Sequence, residues 1–310
     1  MRHPDRSLVV DVDGPVRVAD LGGPSDAPVV LCVHGLAGSA ESWRPLASAS
    51  DGSHRVLAID LPGHGRSPSA GRSLAVPDSA RLVASVVDQL GVGPVVLAGH
   101  SMGAAVSALA AEMAPDLVER LLLLAPPVPR VGLPEVSMSL LPHVALCLWP
   151  KVGLAALRRQ ASRRTLEEHV REGLRLTCAS LEDLDDLVVA LAADLQAAYD
   201  EGEDPLATFV RAARSVGLLV AGGRRYREAL EGLRTPATVV QGALDRVLKP
   251  SGLDDLVRLQ PTWRTHLLDD VGHSPHLEAP VRVASLMRAP APVTAAPTHG
   301  GVVAETAGQV

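Results

Sequence analysis

The chain opens with two Val-rich runs, residues 7–12 and 16–21, joined by Asp13-Gly14. That dipeptide readily adopts the positive φ angles of a tight turn, so the segment predicts a β-hairpin. After a turn-rich break at 22–28, residues 29–33 form a short unbroken apolar run. Such runs suit strands buried on both faces of a parallel sheet. The pattern repeats at 56–59, 95–98 and 121–124. Between these runs, Leu82, Val83, Val86, Val87 and Leu90 recur with a helical period and predict a helix over 78–90. The Ala-rich stretch 102–113 predicts a second. Strand and helix in alternation predict an α/β fold with a mostly parallel sheet.

Pro126, Pro127, Pro129 and Pro134 end the alternation. From about residue 136 to 233 the pattern is helical throughout, with helices expected at 165–174, 184–199, 206–220 and 224–233. Strands at 237–241 and 265–268 and helices at 251–259 and 275–287 resume the alternation. The expected organisation is a core of residues 1–127 and 235–288, interrupted by a helical insert at 128–234. Residues 289–310 are rich in Ala, Pro and Gly without periodicity, which predicts a mobile tail.

Composition narrows the function. The 310 residues are 47% apolar and 21% charged, the balance of a soluble globular protein rather than a disordered or disulfide-built chain. A net charge of −6 argues against a nucleic-acid partner, whose phosphates call for a basic face. Cys32, Cys147 and Cys178 are few, odd in number and widely spaced. They predict buried thiols in a reducing, cytoplasmic compartment, with no metal-ligand spacing. The N-terminus has no apolar core of a secretory signal, and residues 136–150 are too short to span a bilayer.

One pentapeptide carries specific chemistry. Gly99-His100-Ser101-Met102-Gly103 fits G-x-S-x-G between a predicted strand and a predicted helix, the setting of a nucleophile elbow. The sharp turn strains the serine backbone, and the glycines remove the clash that larger neighbours would make. The helix N-terminus turns its unpaired N–H groups toward a developing oxyanion. A serine hydroxyl needs a base. His273 follows a predicted strand and precedes a helix, on a loop at the carboxyl end of the sheet. Asp245, just past the strand at 237–241, is the expected acid, with Asp269 and Asp270 as rivals beside the His273 loop. His276 is the rival base and reads better as a helix-terminus residue. The loop from His34 to Gly38 follows the strand at 29–33, so the N–H groups of Leu36 and Met102 are assigned to the oxyanion hole. His34 reads as a structural loop histidine. Asp60 and Ser67 read as braces of the turn-rich segment 60–67.

The order of these motifs resembles the α/β-hydrolase superfamily: H-G-x-x-G at 34–38, D-x-x-G-x-G-x-S at 60–67, G-H-S-M-G at 99–103, G-x-x-D at 242–245 and G-H-x-x-x-x-E-x-P at 272–280. The resemblance covers about residues 7–288. It implies the α/β-hydrolase fold with a helical cap between the sixth and seventh strands, and a capped serine-hydrolase branch of esterase or lipase type. It further implies Ser101 as nucleophile, Asp245 as acid and His273 as base, with Glu278 structural and no cofactor or metal. Relatives with an aspartate nucleophile depart at Ser101, and ring-fission C–C hydrolases depart at His100. Cofactor-free haloperoxidases and perhydrolases share the serine elbow but end it in Gly-Gly, where this chain has Gly103-Ala104.

The expected reaction is hydrolysis of a small to medium, apolar carboxylic ester through an acyl-enzyme. C–C bond hydrolysis or peroxide chemistry on the same triad is the alternative, and a non-catalytic ligand binder the third reading. Met138, Leu140, Leu141, Val144, Leu146, Leu148 and Trp149 are candidates for an apolar wall, either packing the insert on the core or lining the substrate site. The basic cluster Arg158, Arg159, Arg163 and Arg164 and the acidic cluster Glu182, Asp183, Asp185 and Asp186 predict solvated helix faces. A carboxylate or phosphate anchor for the substrate or a membrane surface is the alternative for the arginines.

Overall fold

The computed structural model describes residues 6–129, 150–288 and 303–305. Strands β1 (Arg6–Asp11), β2 (Pro15–Gly22), β3 (Val29–Val33), β4 (Arg55–Ile59), β5 (Val95–His100), β6 (Val118–Leu124), β7 (Ala237–Gly242), β8 (Arg264–Leu268) and β9 (Val303–Glu305) form one sheet. Their order is β1-β2-β4-β3-β5-β6-β7-β8-β9. The hairpin β1–β2 and the β2–β4 pair are antiparallel, and every other pair is parallel.

The unbroken apolar strands are buried on both faces. Alternate residues of β3 point into different clusters: Leu31 and Val33 join Val83, Val86 and Ala105 on one side, while Val30 and Cys32 join Leu46, Val283 and Met287 on the other. The first side is covered by α2 (Val76–Leu90) and α3 (Met102–Met113). The second is covered by α1 (Arg44–Ala49) and the C-terminal helix of the core. Helix α2 starts with a proline in its first turn and stops at Gly91, whose φ of 59° is the left-handed C-cap that glycine adopts without penalty.

The connection after β3 leads to β4 on one side, and the next strand, β5, pairs with β3 on the other. The carboxyl ends of β3 and β5 therefore flank a switch in strand order, the place where open α/β sheets bind ligands. The loop at 34–38 and the Ser101 turn both leave the sheet there.

A helical insertion separates β6 from β7, as expected. Its described residues include α4 (Pro150–Ala161), α5 (Leu166–Thr177), α6 (Asp185–Asp200), α7 (Pro205–Ala221) and α8 (Arg224–Gly232). A capping box starts α5: Thr165 accepts from the Glu168 N–H and Glu168 accepts from the Thr165 N–H. Part of the insertion has its own apolar cluster of Leu174, Leu184, Leu187, Val188 and Leu191, which Leu277 of the core enters. After β7, α9 (Gly252–Leu259) leads to β8.

Two differences from the sequence expectations have local causes. The helix expected over 275–287 is two helices, α10 (Pro275–Glu278) and α11 (Pro280–Met287), because Pro280 cannot donate to the preceding turn. Helix α1 and the 3₁₀ turn Ala40–Trp43 before it were not expected. Both are too short to show a period. In the expected tail, Val303–Glu305 pair with β8 as an edge strand, and the rest lies outside the described residues. The apolar residues at 138–149 and Cys147 also lie outside them. Cys32 and Cys178 are buried free thiols.

Candidate active site

Ser101 occupies the turn between β5 and α3 with φ 52° and ψ −116°, outside the regions that side-chain-bearing residues favour. That conformation costs about 1–3 kcal/mol and persists only where the surroundings impose it. The glycines show how tightly they do so. A Cβ on Gly103 would lie 2.1 Å from the Val33 carbonyl oxygen, and one on Gly99 would lie 2.3 Å from the Gly103 oxygen. Only glycine at both positions lets α3 start this close to β3 and β5. The Ser101 N–H donates to Leu124 O at 2.8 Å, which ties the turn to the end of β6.

His273 lies on the loop between β8 and α10, with its ring buried. Its Nδ1 is 2.7 Å from Asp245 Oδ2. The same oxygen accepts from Gln241 Nε2 at 2.7 Å, while Asp245 Oδ1 accepts from the Val247 and Leu248 N–H groups at 2.7 and 2.9 Å. Four donors thus fix the carboxylate and aim one oxygen at the imidazole. Asp269 and Asp270 are exposed, and Asp270 pairs with Arg282 at 2.7 Å rather than with His273. Arg282 also holds the Asp270 carboxyl below its ordinary range.

His100, the residue before Ser101, connects the elbow to this loop. Its Nε2 is 2.8 Å from the His273 carbonyl oxygen. A carbonyl only accepts, so the proton sits on Nε2 of a neutral ring. Burial and the neighbouring imidazoles hold His100 well below the usual histidine range. The ring lies 5.0 Å from that of His273 and 4.5 Å from that of His276, which in turn lies 4.5 Å from Trp43. His276 is completely enclosed, and burial pushes it down to about 3. It is a neutral packing residue of α10, as the helix reading expected.

The loop after β3 faces the elbow, with His100 Nδ1 against Gly35. It closes through a Gly38 N–H to Gly35 O bond of 3.2 Å, with Ala37 at φ 56°. Leu36 is half-buried on this loop, and Met102 is the first residue of α3. His34 donates from Nδ1 to Gly35 O at 2.8 Å and accepts at Nε2 from the Leu61 N–H at 3.1 Å. Burial pushes it down to about 4, so it is a neutral bracket and not a base. Asp60 is enclosed and braces the next turn, accepting from the Ala40 and Arg66 N–H groups at 2.6 and 3.1 Å and from Arg17 Nη1 at 3.0 Å. Ser67 Oγ accepts from the Arg17 N–H at 2.8 Å.

The insertion reaches this region through Asp194 on α6. Its carboxylate accepts from Ser39 Oγ at 2.7 Å and from Arg66 Nε at 3.2 Å. Burial pushes its carboxyl above the ordinary carboxylate range. The four arginines at 158, 159, 163 and 164 are exposed, with Arg158 paired to Asp204, and the acidic cluster is exposed too. Both are solvated faces.

Gln241, Asp194 and the bracing role of His100 escaped the sequence reading. Gln241 had a signal, a polar side chain in an otherwise buried strand, while Asp194 looked like any helix-surface carboxylate. Among the described residues no group of three or more His, Cys, Asp or Glu side chains is placed to hold a metal ion. Among them, too, no single helix is long and apolar enough to cross a membrane.

With this geometry in hand, the comparisons with known proteins place the chain. Residues 28–280 match the family described as alpha/beta hydrolase fold. The chain belongs to the α/β-hydrolase family. It is 30% identical over 276 residues to the dihydrolipoyllysine-residue acetyltransferase component of the acetoin cleaving system of Pseudomonas putida, covering 88% of this chain and 66% of that protein. It is 40% identical over 110 residues to lipase LipV of Mycobacterium tuberculosis, covering 36% of this chain and 41% of that protein. The chain thus spans less than two thirds of the length of these curated relatives. Among solved structures, carboxylesterase CesB of Bacillus subtilis superposes with a TM-score of 0.64 at 18% identity, covering 92% of this chain and 90% of that one. At that identity the likeness speaks to the fold alone.

Proposed function

We propose that the protein is a serine hydrolase that cleaves a carboxylic ester of modest size and apolar character through an acyl-enzyme. The observation that carries this reading is the His273 loop. It pairs the imidazole Nδ1 with Asp245 at 2.7 Å and is bonded through its carbonyl to His100, the residue that precedes the strained serine.

In this reading Ser101 Oγ attacks the ester carbonyl carbon while His273 Nε2 takes the hydroxyl proton. Asp245 fixes the Nδ1–H tautomer and stabilises the imidazolium. The N–H groups of Leu36 and Met102 receive the charge that develops on the carbonyl oxygen, and the N-terminal end of α3 adds its dipole. Collapse of the tetrahedral intermediate breaks the bond to the alcohol oxygen, which takes the proton from His273. Water then attacks the acyl-enzyme with His273 again as base, releasing the acid and restoring Ser101. The kinship with LipV supports an ester over other acyl derivatives. The experiment is hydrolysis of p-nitrophenyl esters of increasing acyl length. The expected result is turnover lost in Ser101→Ala and reduced by orders of magnitude in Asp245→Asn, with folding intact. No turnover of any ester by the folded wild-type chain, or undiminished turnover in Ser101→Ala, contradicts it.

A further inference from the structure

The peptide groups around His273 are held by the insertion as well as by the core. The His273 N–H donates to Thr177 O, at the C-terminal end of α5, at 2.6 Å. On α10, Glu278 accepts from the Gly272 N–H at 3.0 Å and from the Ser274 N–H at 3.2 Å, the residues on either side of His273. The same carboxylate accepts from the Ala179 N–H at 2.6 Å and is bonded to the backbone of Ser180. Two partners thus come from the base loop and two from the insertion, and all of them are backbone groups.

The packing points the same way. Leu277, next to Glu278, is buried in the apolar cluster of the insertion. A Cβ on Gly272 would lie 2.8 Å from Ala179 N and 2.9 Å from Thr177 O, so only glycine lets the insertion come this close to the base loop. Glu278 is half-buried, and a carboxylate drawn partly out of water is costly unless its hydrogen bonds are made, so separating the two halves of this junction carries a penalty.

We propose that Glu278 is a positioning residue that couples seating of the insertion to placement of His273. The inference rests on the reading of His273 as general base. Residues 177–180 and 272–274 then move as one unit. The C-terminal end of α5 is a fixed wall of the site rather than a lid, and the imidazole is correctly aimed only while that end is seated.

The test uses the full chain and a small fluorophosphonate, with the rate of Ser101 phosphonylation measured across the pH range in which the base titrates. Folding is checked by thermal melting, and hydrogen exchange is followed at 177–180 and 272–274. In Glu278→Ala the rate is expected to fall roughly tenfold to a hundredfold, as for a misplaced catalytic group. The apparent pKa of the rate profile is expected to shift, and exchange to rise in both segments together. Glu278→Gln keeps one acceptor oxygen and is expected to recover part of the rate, and it carries the test if the alanine variant does not fold. Labelling within about twofold of wild type in a folded variant overturns the proposal. So does slowed labelling with exchange at 177–180 unchanged, since the carboxylate would then hold the base without the insertion. Failure of wild type to label at all is a different result, and it would fall on the serine-hydrolase reading itself.

Discussion

His100 Nε2 donates to the His273 carbonyl at 2.8 Å, so the residue before Ser101 holds the backbone of the His273 loop. This bond spans 173 positions of sequence. His100→Phe keeps an aromatic ring beside His276 and removes the donor. It is expected to lower kcat about tenfold with KM little changed, because the base is displaced while the substrate surface is not. His100→Gln restores an N–H and is expected to recover part of kcat. Steady-state kinetics on the best ester check both, and an unchanged kcat in the phenylalanine variant counts against the bracing role.

Asp194 is another polar anchor of the insertion, bonded to Ser39 just past the loop at 34–38. Ser39 Oγ also accepts from the Glu41 N–H at 3.3 Å, starting the short 3₁₀ turn. Asp194→Ala leaves a buried hydroxyl and Arg66 without this partner and is expected to destabilise the protein by about 1–3 kcal/mol. Asp194→Asn keeps an acceptor for Ser39 and is expected to cost less. Urea denaturation orders the three proteins, and an alanine variant as stable as wild type would contradict the anchor.

Two kinds of glycine give opposite predictions. Gly103→Ala forces a Cβ into the Val33 carbonyl, and is expected to cost more than about 4 kcal/mol or to yield no folded protein. Gly173 in α5 and Gly217 in α7 have open space where a Cβ would go. Alanine there is expected to stabilise by roughly 0.5–1 kcal/mol each, through helix propensity. Thermal melting separates the cases.

Much of this was legible in the chain because its signals are local. Residues 29–33 and 102–113 were read to the residue as β3 and α3, since an unbroken apolar run and an Ala-rich helical run admit few alternatives. The Ser101 turn, the His273 loop and the Asp245 loop each carry motifs within ten residues. The bonds that connect them do not: Ala179 to Glu278 spans 99 positions and Ser39 to Asp194 spans 155. A single sequence offers no pairing information at such distances, and the buried Asp194 reads like the exposed Asp185 at the start of the same helix. Short elements such as α1, and the break at Pro280, lie below the length at which periodicity speaks.

Stability is expected to depend on pH through the neutral buried histidines. Burial pushes His34 down to about 4 and His64 and His276 to about 3. Above pH 6.5, their unperturbed value, both folded and unfolded states hold them neutral. As the pH falls below it the unfolded chain takes up protons that the folded chain refuses. Stability is therefore lost by up to about 1.4 kcal/mol per pH unit for each histidine, until the folded value is reached. Asp60, Asp194 and Glu278, raised by burial, act the other way: the folded state gains relative stability as the pH falls through their raised values toward the unfolded range. The expected net effect is a steep loss beginning near pH 6.5, less steep by one proton in His64→Gln. Urea midpoints on either side of that pH check it, and a flat profile would contradict it.

The central claim is that Ser101 is an activated nucleophile. Intact-mass measurement after exposure to a fluorophosphonate tests it most directly, on wild type, Ser101→Ala, His273→Ala and Asp245→Ala. The account predicts a single adduct on the wild-type chain, none on Ser101→Ala, and much slower labelling of His273→Ala and Asp245→Ala. No adduct on folded wild-type protein, or an adduct that survives Ser101→Ala, would contradict it.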